Sequence, residues 1–160
     1  MLRKTVGKVA KFEILISLLF AFVKSCPVAL QEGWKQMSVE KRARTAEVVV
    51  VGKAIEKLPV DRTIARLTYP VNFKFIDVLK GKKITDDIND NTGSSLFTIY
   101  GFGSASQCLS SINEEDTYLL FLIVEHSTLS LMAAYESAFG ATAPSTKENC
   151  DRILASLGMN

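Results

Sequence analysis

Between residues 68 and 82 the sequence TYPVNFKFIDVLKGK alternates, with Tyr69, Val71, Phe73 and Phe75 on one parity and Ile76 and Val78 on the other. Period-two alternation marks a strand with one buried face. A slip of one residue exchanges the two faces of a strand, so a change of parity inside one run predicts a β-bulge. Other runs are of the same kind. EVVVVGKAIEKL (47–58) is β-branched and predicts a long first strand, with Gly52 as a bend or bulge. LFTIYGFG (96–103) predicts a third strand ending in a glycine turn, and STLSLMAAY (127–135) a fifth. TYLLFLIVE (117–125) is apolar at both parities, which predicts a central strand. SVEKRARTA (38–46) predicts a short helix capped by Ser38, with Val39, Ala43 and Ala46 at helical spacing. Ser145 and Glu148 form a capping box for a closing helix over 146–157, stopped at Gly158, whose Ile153, Leu154 and Leu157 cluster toward one side. The polar stretch KITDDINDNTGSS (83–95) reads as a long flexible loop. Together these elements predict a mainly β fold, a five-stranded OB-like barrel with a short early helix and a C-terminal helix. The strand pattern alone also admits a sandwich.

The amino-terminal segment sets the compartment. Arg3, Lys4, Lys8 and Lys11 precede the apolar run ILISLLFAFV (14–23), and Val23 and Ser25 fit the small-residue positions of a cleavage site. This is the pattern of a secretory signal peptide over 1–25. The run is about half of the roughly 20 apolar residues a spanning helix needs. Cleavage after Ser25 makes Cys26 the first mature residue and leaves one secreted, extracellular domain over 26–160, with no transmembrane segment. Val23 and Lys24 do not suit a lipoprotein signal. Removal of the segment leaves 14 basic against 16 acidic residues, so the basic balance of the whole chain is no argument for nucleic-acid binding. No Asn-x-Ser/Thr sequon occurs.

Three cysteines, Cys26, Cys108 and Cys150, are an odd count for a secreted chain. They allow one bridge and a leftover thiol, or an intermolecular bond. Their spacing is too wide for a zinc knuckle. His126, the single histidine, stands in VEHST without a motif partner, and no Gly-rich phosphate loop or HExxH is present, so no catalytic residue, metal or cofactor is assigned. Lys80, Lys82 and Lys83 in LKGKK form either a solvated hairpin turn or a patch for heparan sulfate or another acidic partner. Phe73, Phe75, Phe97, Leu119 and Phe121 are read as core.

EVVVVGKAIE, TYPVNFKFIDVLKGK, IYGFGSASQC and EEDTYLLFLIVE, in this order, resemble the amino-terminal (NtA) domain of agrin. That domain is an OB-type barrel related to tissue inhibitors of metalloproteinases and to netrin-like modules. The same stretches resemble the amino-terminal segment of long-form neuregulin. The likeness covers most of 26–125; beyond His126 only the closing helix and Cys150 correspond. It implies a non-enzymatic binding protein that contacts matrix proteins, laminin among them, or cell-surface partners. It also implies a bridge between Cys26 and Cys108. Val71 stands where the family has the cysteine that would pair with Cys150, which implies a Cys150 that is free or links two chains into a dimer. Asn149 and Asp151 flank Cys150, near the family's apolar laminin-contacting residues. The alternative implied by the likeness is a metalloproteinase inhibitor. In such inhibitors the α-amino group and carbonyl of the first cysteine chelate the catalytic zinc, a place Cys26 would take. Pro27 and Val28 replace the polar residue and second cysteine that follow there.

Overall fold

The computed structural model describes residues 35–60, 68–125, 128–131 and 140–159. Its order is helix α1 (Val39–Thr45), strands β1 (Val48–Lys57) and β2 (Tyr69–Lys80), helix α2 (Lys82–Thr92), strand β3 (Phe97–Phe102), a 3-10 turn (Ala105–Gln107), strands β4 (Thr117–Glu125), β5 (Thr128–Leu131) and β6 (Thr142–Pro144), and helix α3 (Lys147–Ser156). Five strands close into a barrel in the order β1-β2-β3-β5-β4, with β4 returning to β1. Every pairing is antiparallel except β3 with β5, and β6 pairs with Tyr118–Leu120 of β4 on the side that β5 takes further along the strand. This is the predicted mainly β barrel with an early and a closing helix.

The parity switch in β2 has its expected cause. Val51 pairs with Asp77 and Gly52 with Phe75, so Ile76 has no partner across the ladder. Phe73 and Phe75 point into the barrel before the bulge, and Val78 does so after it. Ile76 itself is 61% exposed on the outside, so the bulge residue does not join Val78 as the sequence reading had it. Gly52 lies beside this irregularity. A Cβ there would sit 3.2 Å from Phe73 Cδ1 and 3.3 Å from Leu120 Cδ1, so the close approach of interior side chains favours glycine at this point.

Two apolar clusters share the strands β1 and β4. Val48, Val50, Ala54, Val71, Phe73, Ile99, Phe102, Leu120 and Leu122 fill the barrel. Val49, Leu119 and Phe121, on the outer faces of the same two strands, pack with Val39, Ala43, Ala46 and Ile153 from α1 and α3. The two-sided apolarity of TYLLFLIVE is thus explained: one face lines the barrel and the other carries two helices. Phe75 and Phe97 stack with ring centroids 4.0 Å apart at one end of the interior.

Four local readings are corrected. Residues 83–95 contain helix α2 instead of a loop. Ile84 and Ile88, one turn apart, pack against the barrel cluster, and Thr85 is buried with its hydroxyl donating to Lys82 O at 2.7 Å. LKGKK is therefore no hairpin turn but the junction from β2 into α2, with Gly81 at φ 80 as the residue before the helix. At α3 the cap is Thr146, which accepts from Asn149 N, while Ser145 donates to Thr117 O at 3.1 Å. The fifth strand is Thr128–Leu131, shorter than read, and His126 and 132–135 lie outside the described residues. No helix among the described residues is long and apolar enough to cross a membrane.

Candidate functional site

The basic patch read from the sequence comes apart in three dimensions. Lys80 is half-buried at the end of β2, and its ammonium donates to Ala43 O at 3.1 Å, Arg44 O at 3.0 Å and Ala46 O at 2.5 Å. These carbonyls end α1, where a helix lacks intrahelical donors and carries the negative end of its dipole. Lys80 is thus a helix clamp with all three donors used. Lys82 and Lys83 are exposed on α2, and Lys82 sits 3.4 Å from Asp86. Two exposed lysines, one facing an aspartate, remain of the three-residue site.

Arg42 is a second clamp on the same helix, and sequence reasoning passed over it. It is 4% exposed, lies over the Phe121 ring at 4.6 Å, and donates through one terminal nitrogen to Gly140 O at 3.1 Å and Thr142 O at 2.7 Å. Burial pushes its pKa down, with Glu40 opposing, yet an arginine stays charged with two carbonyls and an aromatic face around it. A third contact joins the helices. Arg152 Nε on α3 donates to Glu40 Oε1 on α1 at 2.6 Å and holds the Glu40 carboxyl at about 2, well below the usual carboxylate range.

The cysteines separate as follows. Cys108 follows the 3-10 turn at φ 61 and is disulfide-bonded. Cys26, its expected partner, lies outside the described residues. Cys150 is a free thiol on α3, half-buried against the outer cluster. Burial first, then Asp151 and Asp77, pushes its pKa up, so the thiolate is disfavoured and the sulfur is a poor nucleophile. Among the described residues no three His, Cys, Asp or Glu side chains are grouped to hold a metal ion.

Two surface features remain, neither visible in a linear reading. The first is the outer face of β2 and β3. Asn72 and Thr98 oppose each other there, with Thr98 Oγ1 donating to Asn72 Oδ1 at 2.8 Å. Tyr100 stands 44% exposed two residues along β3. The second is an open groove of about 370 Å³ lined by Gln36, Asp116, Thr117, Tyr118, Thr142, Ala143 and Pro144. Its polar wall is a fixed network. Asn113 N donates to the Tyr118 hydroxyl at 2.9 Å, and that hydroxyl donates to Asp116 Oδ2 at 3.2 Å. Asn113 Nδ2 donates to the same oxygen at 3.1 Å. Burial pushes the Tyr118 phenol pKa up, which keeps it a donor.

No family model matches the chain, and no curated protein matches it.

Proposed function

We propose that this chain is a secreted, non-enzymatic binding protein whose partner is a protein of the extracellular matrix or cell surface. One observation carries the reading. The barrel interior is filled by large side chains that are fully buried, among them Phe73, Phe102, Leu120 and Leu122, so ligand recognition falls to the surface. The helices α1 and α3 cover the outer face of β1 and β4, while Tyr100 on β3 and Ile76 at the bulge of β2 opposite β1 are exposed. Aromatic and aliphatic anchors of this kind are what protein partners bury in a contact. The segment 1–25 and the NtA-like stretches support secretion and an extracellular partner; the closed, rigid barrel supports a scaffold role.

The test is recovery of partners from extracellular-matrix extract by the secreted protein, set beside a Tyr100→Ala, Ile76→Ser double variant. Capture of a matrix or cell-surface protein that the variant loses supports the reading. Capture of a metalloproteinase alone, with loss of its activity, would replace it by the inhibitor reading through Cys26. Capture unaffected by the variant moves the contact away from Tyr100 and Ile76.

A further inference from the structure

We propose that the groove beside β6 binds an arginine side chain of an extended segment of the partner protein. This rests on the binding-protein reading and adds the chemistry of one contact. The turn before β4 carries three acids in sequence, Glu114, Glu115 and Asp116. Glu114 Oε1 accepts from Lys57 N at 2.8 Å, and Glu115 is ion-paired with Lys53 at 2.6 Å. Asp116, like Glu114, has no cation among its described partners, and it is the one of the three acids that lines the groove. Its described side-chain partners are the neutral Asn113 amide and the Tyr118 phenol, so they orient the carboxylate and leave its charge uncompensated. The backbone beneath is fixed as well, because Ala54 N donates to Asp116 O and Glu115 N to Ala54 O, each at 2.9 Å. Both bonds fall on Oδ2 and leave Oδ1 to accept from a guanidinium, whose several N–H donors can also reach the neighbouring polar groups of the wall.

Tyr118, Ala143 and Pro144 give an apolar surface for the methylene stem of the arginine. Gln36, Thr117 and Thr142 supply polar groups around it. Strand addition, the other way in which a sheet margin takes a peptide, is excluded. Addition of a strand needs free backbone groups on the margin of β6. The Gly140 and Thr142 carbonyls already accept from Arg42, and the Pro144 carbonyl accepts from Asn149 Nδ2 at 3.0 Å. Pro144 has no N–H to offer. The margin is therefore closed to strand pairing, and a ligand must enter through side chains. Arg42 lies behind this wall with its charge directed to the two carbonyls and the Phe121 ring. Lys35, next to Gln36, is exposed and is the nearest cation along the chain.

The test is a titration of the isotope-labelled mature protein with the peptide acetyl-Gly-Arg-Gly-amide, followed by backbone amide chemical shifts. The neutral citrulline peptide is the control. The expected result is a saturable shift of the Thr117, Tyr118, Thr142 and Ala143 amides, absent with citrulline. The Asp116→Asn variant should weaken binding at least about tenfold, the scale of a lost charged hydrogen bond. If Asp116→Asn does not fold, Gln36→Arg supplies a guanidinium from within the groove wall and should abolish the shifts. Equal response to both peptides, unchanged affinity in Asp116→Asn, or shifts elsewhere on the barrel would overturn the proposal. Matrix capture at full yield by Asp116→Asn would overturn it too while leaving the binding-protein reading in place. Arginine binding without any matrix capture would do the reverse.

Discussion

Replacing Lys80 by methionine isolates the clamp at the end of α1. Methionine keeps an unbranched stem of similar length and removes the ammonium, so packing along the stem is retained. Three backbone carbonyls then lose their shared donor. The Arg44 carbonyl is at the exposed end and turns to water, while those of Ala43 and Ala46 belong to residues that are fully buried or nearly so. A hydrogen bond to a charged group is worth roughly 1.5–3 kcal/mol, and a cation at a helix C-terminus roughly 0.3–1 kcal/mol. The bonds share one ammonium and are not additive, and water recovers part of the loss. The expected net destabilisation is about 2–3 kcal/mol. For a domain of this size that lowers Tm by roughly 6–12 °C. Urea unfolding of the mature protein measures it directly, with Lys82→Met and Lys83→Met as exposed controls expected within about 0.5 kcal/mol of the parent. A Lys80→Met loss no larger than that of the two controls would refute the clamp, and so would its selective effect on heparin retention without any change in stability.

Gly81→Ala should destabilise by about 2–3 kcal/mol in the same assay, because φ is 80 there and an added Cβ would lie 2.7 Å from Glu47 O; a neutral result would mean that the β2–α2 junction relaxes freely. The Glu40 carboxyl is held at about 2 against an ordinary 4.5, so its stabilisation is complete above pH 4.5 and is lost as pH falls through about 2. The stability gap between the parent and Glu40→Gln should therefore be about 0.5–1 kcal/mol at pH 6 and close as pH approaches 2; a gap independent of pH would remove the Arg152 pairing. Cys26→Ser, Cys108→Ser and the double variant should lose the same stability, roughly 4–5 kcal/mol by chain entropy as an upper figure, since each breaks one proposed bridge; additive losses would show that the two cysteines are not partners. Amino-terminal sequencing of the secreted species should begin at Cys26, and an intact Met1 would end the secretion reading.

What the sequence revealed and what it hid divide along the range of the interactions. Strand β4 and the bulge in β2 were legible because burial on two faces and a slip of parity are written in consecutive residues. Helix α1 was legible through Ser38, Val39, Ala43 and Ala46, whose spacing is read within about two turns. Helix α2 was hidden. Its residues KKITDDINDNT are rich in Asp, Asn and Thr, which compete with the helical backbone. Two isoleucines against the barrel, Ile84 and Ile88, hold it, and tertiary packing of this kind overrides propensity. Lys80 was misread for the same reason. Locally it belongs to a run of lysines, but its partners lie 34 to 37 residues away. The groove joins residues 36, 116–118 and 142–144, and no local pattern announces such a meeting.

Helix α1 is only seven residues long, too short to hold itself in place by its own hydrogen bonds. Long cationic side chains act at three points around it: Arg152 from α3 at Glu40, its own Arg42 onto the chain entering β6, and Lys80 from β2 at its C-terminal carbonyls. Each tie joins α1 to a different element, so together they fix both its position and its rotation. That matters beyond stability. Gln36, in the wall of the groove, lies only two residues before the Ser38 cap, and Arg42 holds the β6 wall opposite through Thr142. The two sides of the groove are therefore referred to one short helix. A groove built this way keeps its width as long as the clamps hold, and Lys80→Met, remote from the groove, should loosen arginine binding there along with the fold. Arg42→Leu, which frees the Gly140 and Thr142 carbonyls, should instead open the β6 margin to strand pairing and favour self-association.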